Sequence, residues 1–387
     1  MRTSLRVLHL VSSGGFYGAE NVVIQLALAL KRLNCEVVIG VFQNRHRPNT
    51  EIVEIARLHG MEVELFECRG KLDFGTVRAI RNFISEREFD ILHTHGYKAN
   101  IYGYRAAKST RASLVATGHS WPGKSPILRL YALLDRVMLR WFDHICVVSS
   151  SVADALRRFR VPSEKITVVE NGIDIGHFSA GRPVLREELG LQENPLVGFV
   201  GRLAPEKGLK HLLRAAAGML NTLPMAKFIL AGEGPERSAL EKLARRLGIE
   251  KSVIFLGRRS DLECIYASFD VFVLPSLSEG MPLAVLEAMA AKRPVVATRV
   301  GAIPKMVKDQ QTGLLVDAGD ITGLQSAISL LLGRRDLCRT FGQSGHEVAK
   351  TLFSSDSMAK NYLSIYRRVI PLPSNTANLA HTVADRT

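Results

Sequence analysis

Cysteine and long apolar runs are both scarce in this sequence. Its 5 cysteines are widely scattered and never form a Cys-x-x-Cys pair, which argues against a disulfide framework and against a zinc site. No stretch reaches the roughly 18 uninterrupted apolar residues of a membrane-spanning helix. Residues 1–11 alternate like a strand and do not resemble a signal peptide. We therefore expect a cytoplasmic protein in a reducing compartment.

Acidic residues are outnumbered by basic ones. The 51 Lys and Arg against 37 Asp and Glu leave a net charge of +14, which favours an anionic partner such as a phosphorylated substrate or an anionic membrane face. A basic surface without any such partner fits the same number. No basic tract with interleaved aromatic residues is present, so no nucleic-acid partner is expected. Hydrophobic residues make up 47% and charged residues 23%, which excludes a disordered or collagen-like chain.

Short β-branched runs alternate with longer amphipathic segments along the chain. Near-continuous apolar strands with helix-length spacing between them predict parallel sheets that are buried on both faces. The predicted strands are Leu5–Val11, Glu36–Phe42, Asp90–His93, Leu114–Thr117, His144–Val148, Leu196–Val200, Lys227–Ala231, Val253–Leu256, Val271–Leu274 and Val295–Thr298. The pattern lapses over residues 171–194 and then restarts, as expected for two doubly wound α/β domains.

The 387 residues suit two domains and a cleft between them. Ligands of such open sheets bind outside the carboxyl ends of the strands, so the loops after strands matter most. The expected boundaries are a first Rossmann-like domain at 1–175, a second Rossmann-like domain at 190–345, a helical segment at 346–370 and a disordered tail at 371–387.

A loop with two carboxylates follows one of the predicted strands. Glu279 lies in this loop, and Glu287 lies about one and a half turns into a helix that should begin near Pro282. The backbone amides of Gly280–Leu283 and the helix dipole predict an anion site. Both carboxylates can accept hydrogen bonds from sugar or ribose hydroxyls. The alternative is that Glu279 caps the helix and Glu287 is solvated, although an apolar stripe beside Glu287 disfavours this.

Two cations share one strand-to-helix loop of the second domain. Arg202 and Lys207 stand five positions apart, and the planar fork of the first and the point charge of the second suit a diphosphate. The alternative is a pair of solvated loop cations. No Asp-x-Asp occurs in the chain, so no carboxylate cage for a divalent ion is evident and no metal is expected.

Three histidines follow or end strands of the first domain. His119 should lie at the cleft, although a single histidine is more often structural. His93 and His95 alternate onto one strand face and could suggest a metal, but no third ligand is evident near them in the sequence. We therefore expect a structural or cleft-lining role. In the turn after the first strand, Gly15 lets the backbone approach a ligand closely, and the absence of Gly-x-Gly-x-x-Gly disfavours a dinucleotide site.

Together these motifs resemble the group 1 (family 4) retaining glycosyltransferases with the GT-B fold. The resemblance extends to about Tyr366. It is carried by Gly14–Gly15, Arg202, Lys207, Pro275–Ser276, Glu279–Gly280, Pro282–Leu283 and Glu287–Met289. Lys292 and Lys305 depart from the family pattern, which has a glycine and an acid there.

The resemblance implies that the domain at 1–175 binds the acceptor and that the domain at 190–345 binds the nucleotide sugar. It also implies a role for each matching residue. Glu279 would hold hydroxyls of the donor sugar, and Glu287 would bind the ribose. The implied catalytic residues are Glu279, His119, Arg202 and Lys207. The implied donor-binding residues are Gly15, Arg202, Lys207, Arg258, Glu279, Gly280, Met281, Pro282, Leu283 and Glu287.

The implied reaction moves a sugar from a nucleotide-diphosphate sugar to an acceptor hydroxyl with retention, without metal or cofactor. The acceptor would be a saccharide or a lipid-linked molecule in cell-surface polysaccharide, lipopolysaccharide or glycolipid synthesis. The stretch Ile127–Phe142 carries Arg129, Arg136 and Arg140 among apolar residues and could lie on the anionic inner face of the membrane, or it could be an ordinary packed helix. A nucleotide-sugar epimerase of the same architecture and a non-enzymatic polyanion-binding protein remain alternatives.

Overall fold

The computed structural model describes residues 4–12, 15, 18–45, 51–70, 73–118 and 126–371. His119 and the tail from residue 372 onward lie outside the described residues. None of the described helices is both long and apolar enough to cross a membrane.

The first half of the described chain forms a parallel sheet whose seven strands run in the order β3-β2-β1-β4-β5-β6-β7. The strands are β1 (Arg6–Val11), β2 (Glu36–Asn44), β3 (Glu62–Cys68), β4 (Ile91–His95), β5 (Ser113–Gly118), β6 (His144–Val147) and β7 (Ile166–Val168). The helices are α1 (Gly18–Arg32), α2 (Glu51–Leu58), α3 (Phe74–Glu86), α4 (Tyr97–Ala107), α5 (Pro126–Met138) and α6 (Ser150–Arg157). Along β1, Val7 and Val11 enter one apolar layer while Leu8 and Leu10 enter the other. The sheet is therefore buried on both faces, as its apolar strands predict.

The second half of the described chain repeats this design with six parallel strands in the order β10-β9-β8-β11-β12-β13. The strands are β8 (Leu196–Val200), β9 (Lys227–Ala231), β10 (Val253–Gly257), β11 (Val271–Leu274), β12 (Val295–Thr298) and β13 (Gly313–Val316). The helices are α7 (Ile175–Ser179), α8 (Leu185–Glu188), α9 (Leu209–Met219), α10 (Arg237–Arg246), α11 (Leu262–Ser268), α12 (Leu283–Ala290), α13 (Ile303–Met306), α14 (Ile321–Gly333), α15 (Arg335–Leu352) and α16 (Ser355–Val369). Two doubly wound α/β units are thus confirmed.

Three strands were missing from the sequence prediction, and all three lie at sheet edges. β3 and β7 flank the first sheet and β13 flanks the second. An edge strand packs against fewer neighbours, so its sequence needs less apolar character. β3, for example, contains three glutamates and has only two fully buried residues. β3 was missed for this reason, whereas the fourth edge strand, β10, carries the apolar run Val253–Leu256 and was predicted.

The chain crosses between the two units twice, and the crossings lie side by side. The amide of Ile173 donates to the carbonyl of Phe353 at 3.0 Å, and the amide of Ser355 donates back to the carbonyl of Ile173 at 2.7 Å. After the second crossing, α16 returns to the first unit and packs against α1, where Arg32 and Asp356 form an ion pair at 2.6 Å. The last described helix, α16, therefore connects the end of the second unit to the first unit.

Gly172 allows the two crossings to approach each other. A Cβ atom at this position would lie 2.4 Å from the carbonyl oxygen of Ser354, so we expect Gly172→Ala to lower the free energy of unfolding by about 1–3 kcal/mol. Urea unfolding measures the loss. Gly176→Ala is the matched control, because its added Cβ would have only Asp174 nearby, at 3.4 Å. Equal stability of the two variants would contradict this account.

Candidate active site

Helix α12 begins one residue after the proline that the sequence singles out. Strand β11 ends at Leu274, a loop follows, and α12 starts at Leu283 with Pro282 at the N-cap. Pro282 adopts an extended conformation, as proline allows outside a helix. Among the described residues, no side chain caps the first turn of α12. The loop therefore meets the positive end of the helix dipole at the place where the sequence predicts an anion site.

Lys207 and Glu279, which the sequence places on separate loops, meet directly. The ammonium of Lys207 lies 2.6 Å from Oε1 of Glu279, and the hydroxyl of Ser276 donates to the same oxygen at 2.6 Å. The two side chains are only 19% and 9% exposed. Partial burial strengthens such a charge pair because less water screens it. A cation that can bind phosphate and a carboxylate that can accept hydrogen bonds from hydroxyl groups therefore lie next to each other.

The backbone holds these two loops together. The amide of Leu277 donates to the carbonyl of Glu206 at 2.7 Å. Gly208 has φ 64°, and a Cβ atom there would lie 2.1 Å from the carbonyl oxygen of Pro275. Only glycine satisfies both the conformation and the close approach. The distance between Lys207 and Glu279 is thus fixed by the chain, not by the side chains alone.

Arg202 lies on the same loop as Lys207, after strand β8. Its guanidinium is 3.9 Å from the carboxylate of Glu206, and its side chain is about half exposed. An exposed ion pair of this kind contributes little to stability. Arg202 can therefore exchange this contact for an anionic ligand at small cost.

Glu287 is a buried acid rather than a solvated helix residue. Its side chain projects from α12 into the core, where the hydroxyl of Tyr266 on α11 donates to Oε2 at 2.7 Å. Only 5% of the residue is exposed. Burial raises the pKa of Glu287 to about 7, and the hydrogen bond from Tyr266 opposes part of that rise. The carboxyl can therefore change its charge near neutral pH.

The loop from Gly280 to Leu283 is held from two sides. The amide of Ala302 donates to the carbonyl of Gly280 at 2.9 Å. On the other side, Asn171 of the interdomain crossing donates through its backbone amide to Sδ of Met281 at 3.1 Å and through Nδ2 to the Met281 carbonyl at 3.4 Å. The position of this loop is thus tied to the connection between the two units.

Two other predicted donor residues lie elsewhere along the cleft edges. Arg258 follows β10, and its guanidinium bridges to both carboxylate oxygens of Glu51 at the start of α2, each at 3.2 Å. It therefore links the two units instead of joining Lys207 and Glu279. Gly15 lies beyond the carboxyl end of β1, is buried, and has φ 141°. The predicted catalytic histidine, His119, lies outside the described residues.

Two arginines of the segment Ile127–Phe142, for which a membrane-surface helix and an ordinary packed helix were the alternatives, are turned inward. The guanidinium of Arg136 lies 5.1 Å from the centre of the Phe159 ring, and Nε of Arg140 donates to the Phe159 carbonyl at 2.7 Å. These contacts indicate that the two arginines belong to a packed segment and do not face a membrane. Leu134 and Trp141 are nevertheless more than half exposed.

His93 and His95 have a third histidine beside them that the sequence patterns did not reveal. His9 on β1 is the cross-strand neighbour of His93 on β4, so the expectation that no third ligand lies nearby is wrong. The three residues are far apart along the chain, and only the pairing of β1 with β4 unites them. The one available signal was a histidine at the matching position of a neighbouring predicted strand.

Two family models match this chain, and it is similar to curated proteins of known activity. Residues 181–348 match the family model for glycosyl transferases group 1, and residues 16–177 match that for glycosyltransferase family 4. N-acetyl-alpha-D-glucosaminyl L-malate synthase of Bacillus anthracis is 30% identical over 74% of this chain and 77% of its own length. D-inositol 3-phosphate glycosyltransferase of Mycobacterium sp. (strain KMS) is 34% identical over 73% of this chain and 67% of its own length.

Solved structures share the architecture. HepE of Anabaena, crystallised in complex with UDP, superposes with a TM-score of 0.81 at 24% identity, covering 94% of this chain and 100% of that chain. TarM of S. aureus gives a TM-score of 0.74 at 13% identity, covering 94% and 99% of the two chains. At these identities the likeness concerns the fold. With the identities of the curated relatives, it shows that the chain belongs to the group 1 (family 4) glycosyltransferases and has the GT-B fold.

Proposed function

We propose that this protein is a retaining, metal-independent glycosyltransferase that moves a sugar from a nucleotide-diphosphate sugar to an acceptor hydroxyl. The observation that carries the proposal is the 2.6 Å contact between Lys207 and Glu279 beside the start of α12. A phosphate needs the cation and a sugar hydroxyl needs the carboxylate, and a nucleotide-diphosphate sugar presents both groups. The HepE structures in complex with UDP and with UDP-glucose support a donor of this class.

Donor binding would replace the contact between these two side chains. The diphosphate takes the ammonium of Lys207 and the guanidinium of Arg202, while hydroxyls of the sugar donate to Glu279. The ion pair keeps both charges compensated when the site is empty. The backbone contacts of Gly208 and Leu277 hold the two loops together, so the exchange would need movement of the side chains only.

Charge stabilisation would supply most of the catalysis. As the bond between the anomeric carbon and the diphosphate oxygen breaks, negative charge grows on the leaving group, and Arg202, Lys207 and the N-terminus of α12 stabilise it. The acceptor oxygen forms the new bond on the same face of the sugar. Its proton passes to an oxygen of the departing diphosphate, so the charges and atoms balance without a metal or a protein nucleophile.

Glu287 would bind the ribose hydroxyls of the donor. A carboxyl whose pKa is raised from 4.5 to about 7 by burial costs the fold about 3 kcal/mol at alkaline pH. A glutamine of the same shape would avoid that cost. A role in recognising a ligand explains why an acid occupies the position.

The acceptor would be a saccharide or a lipid-linked molecule used in cell-surface polysaccharide, lipopolysaccharide or glycolipid synthesis. One relative, the UDP-Gal:alpha-D-GlcNAc-diphosphoundecaprenol alpha-1,3-galactosyltransferase of Escherichia coli, is 29% identical over 66% of this chain and 70% of its own length. The net charge of +14 and the exposed Leu134 and Trp141 support work in the cytoplasm against the anionic inner face of a membrane.

The donor site can be tested by separating the roles of Lys207 and Glu279. We expect one of a panel of UDP-, GDP- and ADP-sugars to raise the melting temperature, with a rise that grows with the logarithm of its concentration above the Kd. Lys207→Ala should abolish the rise given by the free nucleotide diphosphate. Glu279→Gln should keep that rise but lose the additional effect of the sugar. Each variant should slow transfer by about 100-fold or more, and EDTA should leave the rate unchanged.

Lys242→Ala provides the matched control, because it removes the same charge from an exposed position on α10. It should behave as the unmodified protein does. A polyanion-binding protein would instead lose binding in Lys207→Ala and show no sugar-dependent effect of Glu279→Gln. That pattern, or strong dependence of the rate on a divalent metal, would contradict the proposal.

The cost of Glu287 should depend on pH. The folded protein holds this proton more tightly than the unfolded chain does, so the cost is absent below pH 4.5, grows as pH rises and is complete above about pH 7. We expect Glu287→Gln to raise the free energy of unfolding by up to about 3 kcal/mol at pH 8 and by little at pH 4.5. Urea unfolding at the two pH values measures the difference, and an equal gain at both would be inconsistent with a buried ionising acid.

Membrane association should depend on the exposed apolar side chains. We expect the protein to co-sediment with anionic vesicles at low salt, and Leu134→Ser and Trp141→Ser to weaken this binding. Leu352→Ser is the control, because Leu352 is similarly exposed on α15 in the other unit. Failure of the unmodified protein to bind at low salt would remove the membrane from the proposed function.

A further inference from the structure

Three histidines that the donor site does not use converge in the core of the first sheet. His9 on β1 and His93 on β4 are register partners on adjacent parallel strands, and His95 follows two residues later on the same face. The ring centres are 4.2–5.2 Å apart. All three residues are at most 4% exposed. Two hydrogen-bonded strands therefore hold the imidazoles in a fixed arrangement.

The nitrogen atoms lie close enough for modest side-chain movements to bring them to one metal ion. One ligand atom from each histidine can be chosen so that all three lie within 4.8 Å of one another. Nδ1 of His9 is 3.0 Å from Nε2 of His95. Two nitrogens bound to one tetrahedral zinc ion at about 2.05 Å stand about 3.3 Å apart. Binding therefore requires a small separation and rotation of the rings of His9 and His95, and a shift of His93 toward them.

The contact between His9 and His95 can be rearranged to leave both facing nitrogens without a proton. Nδ1 of His9 and Nε2 of His95 share one proton in their hydrogen bond, and neutral imidazole is the form that binds metals. The outer nitrogen of His9, Nε2, is buried and has no hydrogen-bond partner among the described residues, so it can take that proton. If the shared proton moves to the outer nitrogen of its own ring, both facing lone pairs point at the ion and every ligand stays neutral.

Neighbouring hydroxyls already orient one of the three rings. Nδ1 of His93 lies 2.6 Å from the hydroxyl of Tyr366, and Nε2 lies 2.7 Å from Oγ1 of Thr117. The Thr117 hydroxyl in turn lies 2.9 Å from that of Tyr362. When one nitrogen of His93 binds an ion, the other keeps its hydroxyl partner. Metal-binding histidines in proteins are commonly oriented in this way.

We propose that His9, His93 and His95 form a structural site for one transition-metal ion, with zinc as the best fit. Three imidazoles favour zinc and its neighbours over magnesium or calcium, which prefer oxygen ligands. The site ties β1 and β4 to the returning helix α16 through Tyr366. It is separate from the donor site, whose Lys207 and Glu279 lie on loops of the second sheet, so the metal stabilises the fold and takes no part in transfer.

Metal binding to the untagged full-length chain tests the proposal. After exposure to chelator and dialysis against micromolar zinc, we expect elemental analysis to find about one ion per chain. Zinc should raise the melting temperature, and cobalt in its place should give the visible absorption of a tetrahedral site. His9→Asn should weaken zinc binding by about 100-fold or more and abolish the cobalt absorption.

His177→Gln is the control variant, because this exposed histidine lies on α7, away from the cluster. It should bind the metal as the unmodified protein does. If His9→Asn fails to fold, His95→Asn and the titration of the unmodified chain decide the question. A folded unmodified chain that binds no zinc, or a folded cluster variant with unchanged stoichiometry and cobalt spectrum, would overturn the proposal. Neither result bears on the donor site, which the nucleotide-sugar panel tests separately.

Discussion

The contact between Lys207 and Glu279 is the interaction on which the candidate active site depends. Two opposite charges at 2.6 Å in a partly buried place stabilise each other only if the backbone brings both loops to the same point. Gly208 and the bond from Leu277 to Glu206 meet that requirement. The same backbone therefore prepares the site before any ligand arrives, and binding exchanges one set of charge contacts for another.

The loop from Gly280 to Leu283 also contacts the first crossing between the two units. Met281 stands directly before Pro282 and contacts Asn171 of the first crossing, while the neighbouring Ile173 is bonded to the second crossing. These contacts connect the crossings between the two units to the loop before α12, so the position of that loop depends on how the crossings are placed.

The features of the fold and of the candidate site that depend on local sequence could be predicted, and those that depend on long-range topology could not. Apolar strand centres, the start of α12 near Pro282 and the loops of Lys207 and Glu279 could be predicted because each depends on residues close together in the chain. The edge strand β3 could not, because its three glutamates weaken the apolar signal. The contact of Arg258 with Glu51 and the return of α16 to the first unit could not be predicted either, because each joins residues that lie far apart in the sequence. His9 joins His93 only through the pairing of β1 with β4, which no local pattern reveals.

Each unit uses a tyrosine to cover an ionisable group in its core. Tyr266 on α11 bonds to Glu287, and Tyr366 on α16 bonds to His93. A tyrosine hydroxyl satisfies the polar atom without bringing a full charge, so it does little to offset the desolvation that disfavours the ionised form. A cation in place of Tyr266 would hold Glu287 ionised and engaged. The neutral partner leaves the carboxyl free to exchange its contact, which is the property that a ligand-binding acid needs.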